Sequence, residues 1–396
     1  MIRFAGLAAL IGAAACARGP VAPDSVDPMR AVPQDPLGSS VLSLRWHFQT
    51  ADRLTEIKPQ EFAAPAIDND TAYVGTATGT FYALRLTDGH MRWKRDLGAV
   101  SAGALVAWPN LYIGTNDGEL RCVEAATGAP CGGLGAKTAW PYQGRGPIEQ
   151  PPIAVGDTVV FSNEADTVIA VDARTGKFRW QYKSETPDEY TLRGHAGVVL
   201  DGDLLYTGFA NGTLVALRAQ NGSIAWLTSL KGDADRFVDV DATPIVVGST
   251  VYATSSSGGV FALDKSTGLV RWHVPLFEGN APGQPPGNVG GLASDGKMLF
   301  VTAADQGVYA LDLDGNVLWR QGTRGGGEPT PPLVSGDLLF YSLTEDGMFV
   351  ADKRTGEVHQ YFDPGDGVSA MPAVTLDDRL VMLTNRGNVY DFDLER

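Results

Sequence analysis

The chain has 396 residues, 44% of them hydrophobic, with 48 glycines and 24 prolines. That length exceeds one simple core, so several domains or a repeat architecture is expected, and the glycine and proline content calls for many turns. With 31 basic against 46 acidic residues the net charge is −15, which argues against nucleic-acid binding and against electrostatic adhesion to anionic lipid.

The chain begins MIRFAGLAALIGAAACARGP, in which Arg3 precedes an apolar run from Phe4 to Ala15 and small residues lead into Cys16. This is the layout of a bacterial secretory signal, and the run is too short to span a membrane as a stable helix. A cysteine directly after the small residues resembles a lipoprotein signal, although Ala13 stands where such signals usually carry leucine. The alternative is an ordinary cleaved signal with an incidental cysteine. The lipoprotein resemblance implies a signal over 1–15, a lipidated Cys16 opening a tether over 16–40, and a folded part over 41–396. The tether reading has its own support, since Ala17 to Ser40 is rich in Pro, Asp and Ser and poor in large apolar residues. Ala17, rather than aspartate, follows the cysteine. In lipoproteins that choice implies the outer membrane, with the folded part in an oxidising periplasm.

From there on the sequence repeats. The segments FYALRLTDGHMRW, VIAVDARTGKFRW, LVALRAQNGSIAW, VFALDKSTGLVRW and VYALDLDGNVLW each carry an alternating strand into a glycine turn. A tryptophan follows four residues after that glycine, as in Gly89 and Trp93 or Gly268 and Trp272. Two degenerate copies place Gly132 and Gln360 in the tryptophan slot, and an eighth slot, Trp46, has a matching strand but no preceding hairpin partner. Successive slots lie 47, 39, 48, 46, 46, 47 and 41 residues apart.

Another apolar strand pair precedes each hairpin, for example PIVVGSTVYAT. Four antiparallel strands per period of about 45 residues describe a propeller blade. The chain ends with three strands that lack a fourth, and the strand of Trp46 is a fourth without three predecessors. The sequence therefore predicts an all-β, eight-bladed propeller of four-stranded antiparallel blades, closed by the N-terminal strand joining the three C-terminal ones. The periodic tryptophans are predicted to pack between blades.

Cys122 and Cys131 lie six before and three after the Gly128 turn, on facing strands of one hairpin, where they can pair directly. In an oxidising compartment a disulfide is expected, worth roughly 2–3 kcal/mol; the alternative is two reduced, buried thiols. The five histidines are scattered and no CxxC exists, so no zinc site is predicted.

The segment RFVDVDATP sets Asp239 and Asp241 on either side of one valine, which in extended chain sends both carboxylates to one face. It follows Trp226, and the segment holding Arg193 follows Trp180. In a four-stranded meander both are connectors between blades and emerge on one face of the ring. Three readings stand. Arg193 bridges the aspartates across the blades, or the charges face a partner directly, or the carboxylates hold calcium. The last lacks the glycine and terminal glutamate of an EF-hand loop.

The Ala-Leu-Asp-x-x-Thr-Gly-x-x-x-Trp repeat resembles the blades of quinoprotein dehydrogenases and equally those of non-enzymatic propellers. The dehydrogenase resemblance implies pyrroloquinoline quinone on the propeller axis with calcium, often stacked on adjacent, disulfide-linked cysteines. This chain has no adjacent cysteines and no CxxCH. Its segments TLRG, from Thr191 to Gly194, and DVDATP, from Asp239 to Pro244, resemble the Leu-Arg-Gly and Asp-Val-Asp-x-Thr-Pro segments of the BamB family of barrel-assembly lipoproteins. That resemblance implies a non-enzymatic scaffold without cofactor or metal, facing the periplasm from the outer membrane. It also implies docking to the POTRA region of BamA through Tyr190, Leu192, Arg193, Asp239 and Asp241. Unfolded outer-membrane clients are a further expected partner class. Tyr190 stands where the family has a contact leucine.

Overall fold

The computed structural model describes residues 41–50, 56–132, 140–185, 195–231, 238–256, 259–276, 289–304, 307–322 and 327–395. Cys16 and the tether, and also Tyr190, Leu192 and Arg193, lie outside these. Among the described residues the regular elements are strands, gathered into eight four-stranded antiparallel sheets. Blades 1 to 7 span residues 66–96, 105–143, 153–183, 199–229, 245–274, 289–321 and 333–362. In each the strands follow one another in chain order. The first strands, three residues long in blades 1 to 5, lie beside one another around the ring and are the innermost.

Blade 8 closes the ring as expected. Leu42–Gln49 pairs antiparallel with Asn388–Leu394, beside Arg379–Leu383 and Ala373–Val374. A buried ion pair reinforces this seam. Asp391 is fully buried and is bound by Arg379 from the neighbouring strand, while Arg45 approaches to 4.0 Å from the N-terminal strand. Arg379 also donates to the carbonyl of Leu86 in blade 1, the same oxygen that accepts from Trp46 Nε1 at 2.7 Å. First strand, last blade and first blade thus meet at one carbonyl.

The tryptophan slot has a consistent geometry. Five of the indoles sit opposite an alanine of the third strand, namely Trp93, Trp180, Trp226, Trp272 and Trp319 opposite Ala83, Ala170, Ala216, Ala262 and Ala310, whereas Trp46 sits opposite Asp391. The small residue leaves room for the ring. A bulge follows immediately, as between Ala83 and Leu84, and swings the indole towards the next blade. There Nε1 finds a carbonyl: Trp93 donates to Ala125 at 2.9 Å, Trp226 to Lys265 at 2.9 Å and Trp319 to Lys353 at 3.0 Å. Each ring buries ~150–250 Å², an upper bound of about 4–6 kcal/mol. The cores accordingly lie between blades, as where Tyr206, Leu214 and Trp226 of blade 4 pack on Val251, Phe261 and Leu263 of blade 5.

Blade 2 corrects one expectation. Trp140, not Gly132, occupies its slot. Leu120 pairs with Tyr142 and Glu119 with Gln143, so the outer strand of this blade begins just after Trp140. The Trp140 ring lies 5.6 Å from that of Tyr112, as Trp226 lies 5.9 Å from Tyr206 and Trp272 lies 5.7 Å from Tyr252. With Trp140 in place the slot spacings become 47, 47, 40, 46, 46, 47 and 41. The chain first turns at Gly128 and returns along the third strand, where Cys131 N donates to Cys122 O at 3.0 Å. A disulfide joins these two cysteines, with Cα atoms 5.4 Å apart. In blade 7 Gln360 keeps the slot, and its side-chain oxygen accepts from Leu42 N of blade 8 at 2.8 Å.

Candidate functional site

The connector after blade 4 is stitched into the ring by its backbone. Val240 N donates to Phe209 O at 3.2 Å, Ser256 N to Asp239 O at 3.0 Å, and Ser255 Oγ to Val238 O at 3.1 Å. Val240 itself is fully buried against Gly208, where any side chain would collide with it. A strand end without a Cβ is thus matched to a connector valine.

That packing determines where the paired aspartates go. Asp239 is only 1% exposed, so its carboxylate serves the interior of the connector rather than an open surface. Asp241 is half-buried, and its Oδ1 has no hydrogen-bond partner. Burial, with smaller contributions from the charges of Asp239 and Asp166, pushes its carboxyl up to about 8. At neutral pH Asp241 is therefore mostly protonated, which relieves the like-charge repulsion that the sequence raised.

Asp166 is a third member that the sequence reading did not include. It sits in the turn between the second and third strands of blade 3, buried and in left-handed backbone at φ 51°. It accepts from Ala210 N of blade 4 at 3.2 Å. Burial raises its pKa, partly opposed by the Ala210 amide and by Lys183. The signal available in sequence was topological only: such turns share a face with the connectors.

Thr243, the threonine of the DVDATP segment, ties the connectors to one another. Its Oγ1 accepts from Gly197 N of the preceding connector at 2.9 Å. A Cβ on Gly197 would come within 2.7 Å of that oxygen. His195 opens the described part of the same connector with its ring buried; burial, partly offset by the backbone of Ser162, pushes its pKa down to about 4, so it is neutral. The structure thus brings Asp239, Asp241 and Asp166 together and links their connector to the one that follows Tyr190, Leu192 and Arg193, which themselves lie outside the described residues. Among the described residues no group of three or more His, Cys, Asp and Glu side chains is placed to hold a metal ion.

The family model described as "Outer membrane protein assembly factor BamB" matches the chain at residues 43–131, 99–313 and 260–396. The chain belongs to this BamB family. It is 29% identical over 347 residues to the outer membrane protein assembly factor BamB of Burkholderia pseudomallei, covering 83% of each chain. The crystal structure of BamB from Moraxella catarrhalis superimposes with a TM-score of 0.73 at 20% identity, over 89% of this chain and all 100% of the other. A europium-containing methanol dehydrogenase also superimposes, with a TM-score of 0.67 at 16% identity, over 89% of this chain and 93% of that one. The BamB family and the dehydrogenase therefore share the propeller, and the fold alone does not separate scaffold from enzyme.

Proposed function

We propose that this chain is a non-catalytic scaffold of outer-membrane β-barrel assembly, held at the periplasmic side of the outer membrane by a lipid on Cys16. Its connector face docks the POTRA region of BamA. The observation that carries this reading is the hydrogen bond between Gly197 and Thr243. It joins the two connectors whose segments resemble the family's partner-binding segments.

The roles divide between the buried aspartates and the residues that the family resemblance assigns to the partner. Asp239 and Asp241, set low in the connector, brace it from within, whereas Tyr190 and Leu192 are the apolar anchors presented to the partner. Arg193 supplies charge complementarity on one side or the other of that division. Membership of the BamB family over nearly the whole chain supports the scaffold reading over the enzymatic one.

The test is capture of the purified POTRA region of BamA by the tagged protein. Leu192→Glu with Arg193→Glu is expected to lower capture at least ten-fold while the thermal unfolding midpoint stays unchanged. Undiminished capture by that variant contradicts the site. Dye-linked alcohol oxidation after reconstitution with pyrroloquinoline quinone and calcium contradicts the non-catalytic assignment.

A further inference from the structure

The chain contains eight tryptophans. Seven occupy the docking slots of the blades, and the eighth, Trp108, does not. It stands in the turn between the first two strands of blade 2, Leu105–Ala107 and Asn110–Gly114, and is 65% exposed. In a meander blade this turn lies on the face opposite the connectors. The matching two-residue turns of blades 1, 3, 4, 5 and 7 contain only Gly, Asn, Asp and Ser, as in Gly156-Asp157 and Gly248-Ser249. The repeat therefore asks for a small polar residue here, and nothing in the docking scheme calls for an indole. An exposed tryptophan is a large apolar surface of the kind that anchors interfaces.

Trp108 lines a cavity of about 250 Å³ between blades 1 and 2. That is smaller than the ~300–1,000 Å³ of small-molecule pockets, and suits a single side chain. Asp68, Asp70, Arg92 and Ala125 line the same cavity. The two carboxylates are not equivalent. Asp70 is already neutralised, since Arg92 is paired with it and Thr71 donates to it at 3.0 Å. Asp68 accepts from Asn69 Nδ2 at 2.9 Å, and no basic side chain of the described residues forms an ion pair with it. The cavity thus offers a flat aromatic face and one carboxylate still lacking a cation.

That combination is complementary to a guanidinium, which stacks on indole and pairs with a carboxylate through two parallel hydrogen bonds. The chain's charge of −15 favours approach of a basic partner. We infer that the cavity under Trp108 is a docking point for an arginine side chain presented by a partner protein. In it the guanidinium lies over Trp108 and pairs with Asp68. This inference does not depend on the connector face, and the two stand or fall separately.

The test labels the full chain with 5-fluorotryptophan and assigns the Trp108 signal by its loss in Trp108→Phe. The probes are blocked Gly-Arg-Gly, its Gly-citrulline-Gly and Gly-Lys-Gly counterparts, and chitobiose. The arginine peptide is expected to move only the Trp108 resonance, saturably and in the millimolar range. The citrulline peptide, similar in shape but uncharged, is expected to bind at least ten-fold more weakly, and the lysine peptide three-fold or more weakly. Asp68→Asn is expected to abolish the arginine-induced shift, with its seven other resonances unmoved as proof of folding. Equal responses to arginine and citrulline, an unaltered response in Asp68→Asn, or no saturable shift overturns the assignment. Response to chitobiose without response to arginine makes the cavity a carbohydrate site and also overturns it.

Discussion

The indole of Trp226 rests against Gly268, the turn glycine of the next blade, so closely that a Cβ on Gly268 would stand 2.6 Å from two ring carbons. The same contact recurs at 2.7 Å between Trp46 and Gly89, Trp93 and Gly128, and Trp319 and Gly356. Glycine is needed there twice, for the contact and for a φ of +73° at Gly268. Gly268→Ala is expected to lower stability by about 2–4 kcal/mol, overpacking adding to the backbone penalty. Gly248→Ala is the control, because Gly248 has a φ of +60° but no atom within 4 Å of its Cβ position; it should lose only about 1 kcal/mol. Chemical unfolding followed by circular dichroism separates the two, and equal losses contradict the blade-to-blade role.

Trp140 is expected to behave as a docking residue. Trp140→Ala should lower stability by about 3–5 kcal/mol, as measured by urea unfolding. A change within about 0.5 kcal/mol, typical of surface positions, contradicts its placement in the slot.

Removing the disulfide should weaken blade 2. Cys122→Ala with Cys131→Ala is expected to lower stability by about 2–3 kcal/mol for a loop this short. Dithiothreitol should lower the unfolding midpoint of the native protein and leave that of the double variant unmoved. Equal sensitivity of both contradicts the bond.

Asp241 makes the connector sensitive to pH. Its folded pKa of about 8 stands above the ordinary value of 3.8, so the folded state holds a proton that the unfolded state releases. The stability this provides is complete below about pH 4 and is lost as the pH rises towards 8. Asp166, also raised by burial, works in the same direction. Asp241→Asn fixes the neutral form and is expected to gain on the order of 1–3 kcal/mol over the native protein at pH 8.5. At pH 4 it should gain little. The same gain at both pH values contradicts the buried, protonated carboxyl.

The ring, its eight blades and the closing strand were legible because the docking geometry repeats with the chain. Trp140 was not, because the regular spacing from Gly128 points to Gly132, whereas Cys131 is tied back to Cys122 and the outer strand of this blade is Tyr142–Gln143. The location of Asp239 and Asp241 between blades 4 and 5 was equally legible. Their burial was not, since alternation says only that the two carboxylates share a face, and it is the packing of Val240 over Gly208 that fixes the connector against the ring. Asp166 and Thr243 act through neighbours 44 and 46 residues away, and no local pattern marks them.

The central claim is that this propeller works as a docked scaffold within barrel assembly. Its most direct test is purification of the tagged, full-length chain from detergent-solubilised envelopes, with quantification of BamA in the eluate. The account predicts BamA in near-stoichiometric amount, and at least a ten-fold loss of it with Leu192→Glu and Arg193→Glu together. Recovery of the chain without BamA, or with BamA unchanged by that variant, contradicts it.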